Sequence, residues 1–515
     1  MMALAVLVAA GAGAQTVYDA TNIAQKDLNG TARFVGMGGA MGALGGDIST
    51  IGTNPAGIGI YRSNDAVLTF GYSITGTESN YGGSTFEMDK SRWNFDNIGF
   101  VLSTKMSNIA PLRYVNFGFN YHKAKSFYRN MTMQGMLGGI DGQFVSQVNS
   151  MAWQATDATA YVPNLDFGSN NIFYNNDAGW LGALGWLGGL IEKDPSHTGS
   201  YLPLVPSEVD GYYRSSERGG VDQYDFNVAF NVSDRFYFGV TIGAYDVDYN
   251  KYALWDEIVV NGDNQEIGYT LESFNRISGA GFDVKFGAIL CPFEYSPLRI
   301  GLAVHTPTYY RLTYTTGALL NSSGLIVDTR DYLDGRDMDR DFHLETPWVI
   351  NASLGYTVGN YLALGAEYEY EDYSTMKFRY PGGEEMAWET AETGLCMKAV
   401  HTARLGLEYK PISAFALRAG YNYSTAAFRD DAIKALPSNS INTDTDFSNN
   451  KSMNTFTLGI GYRGSLLYAD LAYKYDTYKS DFYPFYNDIN GPVTPPATKV
   501  TNTRSQVLLT LGVRF

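Results

Sequence analysis

The residues of this 515-residue chain that could do chemistry are a glycine-rich stretch and a few scattered polar side chains. The stretch "FVGMGGAMGALGGDISTIGTNPAGIGIY", residues 34–61, is as glycine-rich as the loops that hold phosphate in nucleotide enzymes. However, the spacing Gly36-x-Gly38-x-x breaks at Met41, no strand is predicted before it, and no lysine follows as in a P-loop. The stretch therefore argues against a nucleotide site.

The histidines do not indicate a catalytic or metal site. They are scattered, without an HExxH motif or Cys/His zinc spacing, and no Ser-His hydrolase motif is recognisable. We therefore expect no enzyme activity, no cofactor and no catalytic metal. The acidic stretch "RDYLDGRDMDRDFH", residues 330–343, leaves calcium binding or a solvated loop open, because it lacks a known calcium-loop pattern. The histidines are His122, His197, His305, His343 and His401.

Composition excludes a nucleic-acid partner and indicates an exported protein. The formal net charge is −16, and nucleic-acid binding needs a basic patch. The first residues, "MMALAVLVAAGAGAQ", are apolar and end in Ala12-Gly13-Ala14, which predicts a secretory signal over 1–14. No later segment has ~20 consecutive apolar residues, as a membrane helix would require. The chain is therefore a secreted β protein or a β-barrel of the outer membrane.

Alternation of apolar and polar residues indicates strands. In "YVNFGFNYH", Val115, Phe117, Phe119 and Tyr121 fall on one face and polar or small residues on the other. Most such segments have 10–14 residues, whereas globular strands average about 5–6 and membrane-spanning strands need about 9–11. The fourteen candidates are 66–76, 93–105, 113–124, 223–232, 236–250, 276–290, 298–311, 345–358, 361–373, 400–410, 414–425, 453–463, 466–477 and 504–515.

The connections between these segments identify the type of β protein. Short turns such as "SDR", "GN" and "PIS" alternate with long loops, the largest over 125–222. This alternation is typical of bacterial outer-membrane barrels, with turns in the periplasm and loops outside. We therefore predict an all-β fold: residues 65–515 form an antiparallel transmembrane β-barrel of 14 strands in the outer membrane of a Gram-negative bacterium.

The glycine-rich stretch has a role in such a barrel. Small residues permit close backbone packing inside the lumen. Asp47 can cap a short helical turn that Pro55 then ends. Residues 15–64 are therefore predicted to form a small N-terminal hatch inside the lumen.

The segment "GDISTIGTNPAGIGIY", running directly into the first strand, resembles the FadL family of long-chain fatty-acid outer-membrane transporters. The resemblance rests on Asn54-Pro55-Ala56 and on the strand count. It implies a hatch that shifts at Asn54, Pro55, Ala56 and Gly57, and release of the ligand sideways at a kinked third strand. Gly118 in that strand would weaken its pairing, or would merely make room in the lumen.

A second apolar stretch, "AGWLGALGWLGGLIEKD" (178–194), lies in the largest loop. Its apolar side chains recur near helical spacing and form one stripe. The stripe is either a landing surface for an acyl chain or packing that holds the loop on the barrel. The candidate ligand-binding residues are Trp180, Leu181, Leu184, Trp186 and Leu187.

These features predict a transporter for passive uptake of hydrophobic molecules, above all long-chain fatty acids, working as a monomer among outer-membrane lipids. The alternative is a haem receptor or an adhesin that binds through Tyr-rich loops without transport. An apolar lumen would favour transport, and a polar, sealed lumen would favour binding. The lumenal charges either pair across strands or meet a fatty-acid carboxylate. These charges are Glu367, Glu369, Arg404, Glu408, Arg418, Asp470, Lys474 and Arg514.

Overall fold

Fourteen antiparallel strands close into a barrel, as the alternating segments predict. The computed structural model describes residues 15–137, 145–158, 171–174, 178–197, 199–204, 208–260, 266–486 and 494–515, so the predicted signal lies outside the described residues. No helix within these ranges is long and apolar enough to cross a membrane. The barrel strands are β1 Asp65–Tyr81, β2 Ser84–Lys105, β3 Leu112–Ser126, β4 Glu208–Val232, β5 Phe236–Val260, β6 Glu266–Leu290, β7 Arg299–His305, β8 Val349–Val358, β9 Leu362–Asp372, β10 Ala399–Ile412, β11 Phe415–Ser424, β12 Phe447–Arg463, β13 Leu467–Tyr483 and β14 Thr498–Arg514.

The barrel closes where β14 pairs with β1. Asp65 lies opposite Arg514, and the ladder continues up both strands. The Thr69 and Thr510 hydroxyls are hydrogen-bonded at 2.7 Å, and the Thr510 hydroxyl also accepts a hydrogen bond from the backbone N–H of Ala32 at 2.7 Å. The first strand, the last strand and the N-terminal segment therefore meet at one hydroxyl group.

The outer face of the barrel is an apolar belt. On β14, Leu509 is 43% and Leu511 50% exposed, whereas the alternate residues Leu508 and Thr510 are buried. The same alternation on the other strands follows from the pleat, which points successive side chains to opposite faces. Aromatic residues stand at the ends of this belt: Phe236, Phe415 and Phe515 at the periplasmic rim, and Tyr423 and Tyr473 towards the loops.

Several strands differ in length from the sequence-based prediction. β4, β5 and β6 have 25 residues each, far more than the about 9–11 that span a bilayer, so they project beyond the membrane. The predicted strand 298–311 is broken at residues 306–308, and Tyr309–Ser322 continues as a separate strand beside β6. Pro307 explains the break, because proline cannot donate to the ladder. Likewise, Pro347 separates β8 from the strand Met338–Glu345.

The extracellular connections carry their own helices and strands. The strand Arg129–Met136 follows β3 closely and pairs with β4, so strands occupy both ends of the predicted loop 125–222. The remaining short strands are Ile191–Lys193, Tyr201–Pro203, Leu325–Asp328 and Lys377–Arg379, and the α-helices are α1 Val17–Ala24, α2 Ala32–Gly36, α3 Gln147–Ala158, α4 Trp180–Leu187, α5 Thr329–Tyr332 and α6 Ala387–Cys396. Short 3-10 helices span Ile48–Gly52, Pro55–Ile60, Ile172–Tyr174 and Tyr373–Thr375.

The two cysteines are both free. Cys291 follows β6 in a periplasmic turn, whereas Cys396 ends α6 on the extracellular side. Opposite ends of a membrane-spanning barrel are too far apart for a disulfide.

Candidate functional site: the barrel lumen

Residues 15–64 run through the lumen from its extracellular to its periplasmic end. α1 begins with a capping box, in which the Thr16 N–H donates to Asp19 at 2.9 Å and the Asp19 N–H donates to the Thr16 hydroxyl at 3.4 Å. Tyr18 stacks on Phe428 with ring centroids 4.6 Å apart, and its hydroxyl donates to Asn449 at 3.0 Å. Because these partners lie at the extracellular ends of β11 and β12, α1 lies beneath the loops.

Lower down, the backbone of this segment rests on a row of glycines in the barrel wall. Gly365, Gly406 and Gly420 are register neighbours on β9, β10 and β11. A Cβ added to Gly406 would lie 2.3 Å from the Met37 carbonyl oxygen, and one on Gly420 would lie 2.2 Å from the Gly38 nitrogen. Only glycine permits this approach, and we call these three residues the glycine row.

Ion pairs and charged hydrogen bonds hold the same part of the segment. Arg33 Nε lies 3.0 Å from Glu408, which also pairs with Arg418 at 2.7 Å. The Gly42 N–H donates to Glu367 at 3.0 Å. Glu408 is nearly inaccessible to solvent, so its two guanidinium partners offset the cost of burying its charge. The other lumenal pairs include Arg404 with Glu367 and Glu369, and Arg418 with Asp470.

The Asn54-Pro55-Ala56 motif packs against the wall near the periplasmic end. Asn54 Oδ1 accepts a hydrogen bond from the Ala56 N–H at 3.1 Å and so caps the 3-10 helix Pro55–Ile60. The Pro55 carbonyl accepts from Asn227 of β4 at 3.3 Å, and a Cβ on Gly239 would lie 2.3 Å from that carbonyl. The motif is therefore tightly docked, and its part in gating stays a prediction.

The two predicted gating glycines lie in close contacts. A Cβ on Gly57 would lie 2.4 Å from the Thr50 hydroxyl. Gly118 is paired on both sides, with Val101 of β2 and Asn227 of β4. A Cβ on Gly118 would lie 2.8 Å from Ile51 Cδ1, so this glycine makes room for the N-terminal segment. A gating role for either residue stays a prediction.

The wall separates above this point, between β2 and β3. On the extracellular side of the Asn97–His122 pair, β2 pairs only with β1, and β3 pairs only with β4. Asp96, the next residue of β2, is a β-bulge without a partner in β1. A bulge bends its strand and increases its twist, which explains the divergence. We call this loss of pairing the β2–β3 separation.

The Asp96 side chain ties the bulge to the N-terminal segment. It is fully buried, and its Oδ1 accepts hydrogen bonds from Asn29 at 2.9 Å and from Gln506 at 3.1 Å. On the outer side of the separation, the rings of Phe95 and Tyr121 stack with their centroids 5.6 Å apart. Trp93 beside them is 76% exposed. The separation thus has a polar inner edge and an aromatic outer edge.

A central cavity of about 290 Å³ lies between α1, the rest of the segment and the wall. Its lining includes Ser126 at the end of β3, on one side of the β2–β3 separation, and Tyr128 just beyond it. It also includes Thr75 of β1, which pairs with Lys90 of β2. Polar and charged residues outnumber apolar ones in the lining. The apolar part is an aromatic cluster that includes Tyr18, Phe127, Phe428 and Phe447. The cavity is therefore amphipathic rather than continuously apolar.

A buried charge cluster lies below the cavity. Lys285 is fully buried, and its Nζ lies 2.7 Å from Asp225 Oδ1 and 3.3 Å from Asp283 Oδ1. His305 lines the cavity and is hydrogen-bonded through Nε2 to the Thr53 carbonyl at 2.8 Å. His122 lies 3.8 Å from Asp225. Both histidines thus have lumenal partners, one of them on the N-terminal segment.

The extracellular mouth is covered by an apolar cluster that includes the predicted stripe. Trp180 and Leu184 are inaccessible to solvent, and Leu181 is nearly so. Trp186 and Leu187 pack against the cluster and remain partly exposed. In this structure most of the stripe packs the loop, and its role in ligand capture stays a prediction.

Residues 430–446, between β11 and β12, fold inward beside this cluster and form what we call the inserted loop. Residues 440–446 are at most 8% exposed. Lys251 of β5 lies 2.7 Å from Asp444 and 2.8 Å from Asp446. Burial and the Asp444 carboxylate raise the pKa of Asp446 above its usual range. Despite burial, Lys251 and Lys434 hold the pKa of Asp444 well below its usual range.

The acidic stretch 330–343 has internal partners for several carboxylates. Asp337 pairs with Arg330 at 2.8 Å, and Asp339 and Asp341 accept hydrogen bonds from threonines at 2.5 and 2.7 Å. Within the part of the chain that the structure describes, no three His, Cys, Asp or Glu side chains are grouped to hold a metal ion.

Sequence reasoning missed the bulge, although the signal was present. Trp93 and Phe95 face outward at odd positions, whereas Ile98 and Phe100 face outward at even positions. This change of phase requires an extra residue between them. The cavity-lining Lys26 and the inserted loop gave no comparable signal, because single lysines and polar loops are common in any barrel.

Comparison with known proteins bears on this architecture. No protein-family model matches the sequence, and no curated protein matches it. Among solved structures, a Pseudomonas aeruginosa FadL homologue is 13% identical, with a TM-score of 0.51, over 95% of this chain and 99% of that one. The P. putida toluene transporter TodX is 11% identical, with a TM-score of 0.50, and the match covers 95% of this chain and 99% of TodX. At sequence identities this low, the structural similarity shows a shared fold and nothing more.

The chain therefore has the fold of FadL-type barrels, as the resemblance predicts. A closed barrel of this type with an apolar outer belt spans an outer membrane. The protein is accordingly an outer-membrane protein of a Gram-negative bacterium.

Proposed function

We propose that this protein takes up hydrophobic molecules passively across the outer membrane, and that its substrates are long-chain fatty acids. A molecule is captured among the extracellular loops, binds in the central cavity and leaves sideways as the N-terminal segment shifts. The supporting observation is that the cavity lining reaches the β3 side of the β2–β3 separation at Ser126, and also includes Thr75 of β1, which pairs with Lys90 of β2 above the separation point. No chemical step, cofactor or metal takes part.

Sideways release suits an apolar ligand. The periplasmic end of the lumen is occupied by the segment, which is docked on the glycine row and held by ion pairs such as Arg33–Glu408. The outer edge of the separation is aromatic, with Trp93 and Phe95 in the apolar belt. A ligand that leaves there enters the membrane without exposing its chain to water. The toluene transporter TodX, which has this fold, also favours a hydrophobic substrate.

A second candidate is binding without transport, as in a haem receptor or an adhesin. It is favoured by the polar lining of the cavity and by the apolar cluster over the mouth. Haem absorption spectra of the purified protein test the receptor form of this candidate. A haem complex together with no uptake of any lipid would favour it over transport.

Uptake of labelled oleate by whole cells tests the proposed route. The host is a Gram-negative strain without its own fatty-acid uptake protein. Ser126→Trp adds bulk where the cavity meets the separation, and should reduce saturable uptake by about tenfold or more, since a blocked route carries no flux. Thr104→Trp adds the same bulk on the exposed periplasmic end of β2 and serves as the matched control.

Two results would contradict the proposal. Cells with the wild-type protein would take up oleate no faster than cells without it, or Ser126→Trp and Thr104→Trp would transport equally. Barrel folding is checked in each variant by the shift in electrophoretic mobility on heating.

A further inference from the structure

Lys26 differs from the other cations that line the central cavity. It follows α1 directly, is exposed to the cavity and has no carboxylate within 4.0 Å among the described residues. Its one hydrogen bond goes to the Tyr245 hydroxyl at 3.4 Å, and its ammonium lies 5.4 Å from the centre of that ring. Lys26 therefore presents an unpaired positive charge to the cavity.

Every other lysine and arginine of the described lining has a carboxylate partner. Lys125 pairs with Asp27 at 3.1 Å, and Arg404 pairs with Glu369 at 2.5 Å. The remaining members, among them Lys251 and Arg504, are paired in the same way. The charges of these side chains are already compensated, so an incoming anion gains little from them.

The backbone beside Lys26 is held in place. Asp27 pairs with Lys125 and with Arg504 at 2.6 Å, and its N–H donates to the Ala124 carbonyl at 2.7 Å. Although burial opposes it, these two cations hold the pKa of Asp27 well below its usual range. Lys26 is thus directed into the cavity from a fixed position on the N-terminal segment.

The surroundings of Lys26 suit an amphiphile. The aromatic rings of Tyr18, Phe127 and Phe428 line the same cavity and can cover an apolar chain. A carboxylate, phosphate or sulfonate can accept a charge-assisted hydrogen bond from the ammonium. A neutral hydrocarbon offers no such acceptor and leaves Lys26 unpaired.

We propose that Lys26 binds the anionic head group of the ligand and makes the cavity selective for anionic over neutral amphiphiles. This inference rests on the proposed function, because it names the class of ligand for the same cavity. Lys26 belongs to the segment that must shift for release, so the head group contacts the moving part directly. Glu371, a carboxylate of the same lining with no ion pair among the described residues, opposes anion binding.

Equilibrium binding to the full-length protein in lipid nanodiscs tests this selectivity, with empty nanodiscs as the blank. The probes are oleate and oleyl alcohol, which have the same chain but differ in charge. Lys26→Gln should weaken oleate binding by about tenfold or more, as expected for one charge-assisted hydrogen bond, and should leave oleyl alcohol binding unchanged. Lys26→Arg should retain oleate binding, and Glu371→Gln should strengthen it.

Lys377→Gln is the matched control, because Lys377 is exposed on the extracellular side and is not part of the cavity lining. Unchanged oleate binding in Lys26→Gln would overturn the inference, as would an equal loss for oleate and oleyl alcohol. No oleate binding by the wild type would also overturn it. The cell-uptake experiment judges transport separately: Lys26-dependent binding without uptake would contradict transport and leave the inference standing.

Discussion

Replacing Gly406 with alanine should push the N-terminal segment away from the wall and leave the barrel intact. The added Cβ would lie 2.3 Å from the Met37 carbonyl oxygen and 3.2 Å from Met37 Cε. Ordinary contacts begin near 3.4 Å, so the segment must move by about 1 Å. The Cβ points into the lumen, so the strand pairing of β10 is not disturbed.

The size of the effect follows from the cost of overpacking. Inserting a methyl group into a well-packed contact costs about 1–3 kcal/mol. Here the cost falls on docking of the segment, because alanine is at least as favourable as glycine in a strand. A cost of about 1.4 kcal/mol corresponds to a factor of ten in population. The state in which the segment is undocked from the wall should therefore become about 5- to 150-fold more populated.

Hydrogen–deuterium exchange of residues 34–46 in nanodiscs measures this population, and single-channel conductance in planar bilayers measures its effect on the lumen. The variant should exchange faster in this segment and open more often, while heat-dependent electrophoretic mobility stays that of the wild type. Gly382→Ala is the control, because no atom lies within 4 Å of its added Cβ. Wild-type exchange in Gly406→Ala, or equal acceleration in the control, would refute the reasoning.

Two further predictions concern the extracellular side. Ser273→Cys with Thr443→Cys, whose hydroxyls are 2.8 Å apart, should form a disulfide that fixes the inserted loop when both native cysteines are replaced by serine. Oxidised cells should lose oleate uptake and regain it with dithiothreitol; uptake that persists after oxidation would show that the loop need not move. Burial and Glu389 raise the pKa of Glu392 to about 8, above the ordinary 4.5, so the folded state binds this proton more tightly. The stability that protonated Glu392 contributes is full below about pH 4.5 and is lost as pH rises through 8. Trp388 is hydrogen-bonded to Glu392, so its fluorescence should change with a midpoint near pH 8. The Glu392→Gln variant should show no such change.

The barrel was predictable because its physics is local. Period-two alternation and the alternation of turn and loop lengths are read directly from short segments, and they yielded the strand count. The outward series on β14, such as Leu509 and Leu511, matches the prediction residue by residue. Lengths beyond the membrane were not predictable in this way, because β4–β6 continue as amphipathic strands above the belt without any change in period.

The lumenal site was less predictable because it depends on contacts between distant residues. Nothing local distinguishes Lys26 from a solvated lysine, since its isolation follows from where every other lumenal charge finds its partner. The stripe at Trp180 illustrates the opposite limit. Its helical spacing was correctly read, but spacing alone does not decide whether the stripe faces a ligand or the loop's own core.

The meeting of β1, β14 and the N-terminal segment at Thr510 constrains the order of assembly. The β1–β14 pairing joins strands from opposite ends of the sequence. On its lumenal side, the Thr510 hydroxyl accepts a hydrogen bond from the Ala32 N–H. Once the ring of strands is closed, Arg33 can reach the buried Glu408 only if residues 15–32, with their charged side chains, thread into the lumen ahead of it. We therefore expect the segment to be enclosed before β14 joins β1, so that the nascent barrel forms around its own N-terminus.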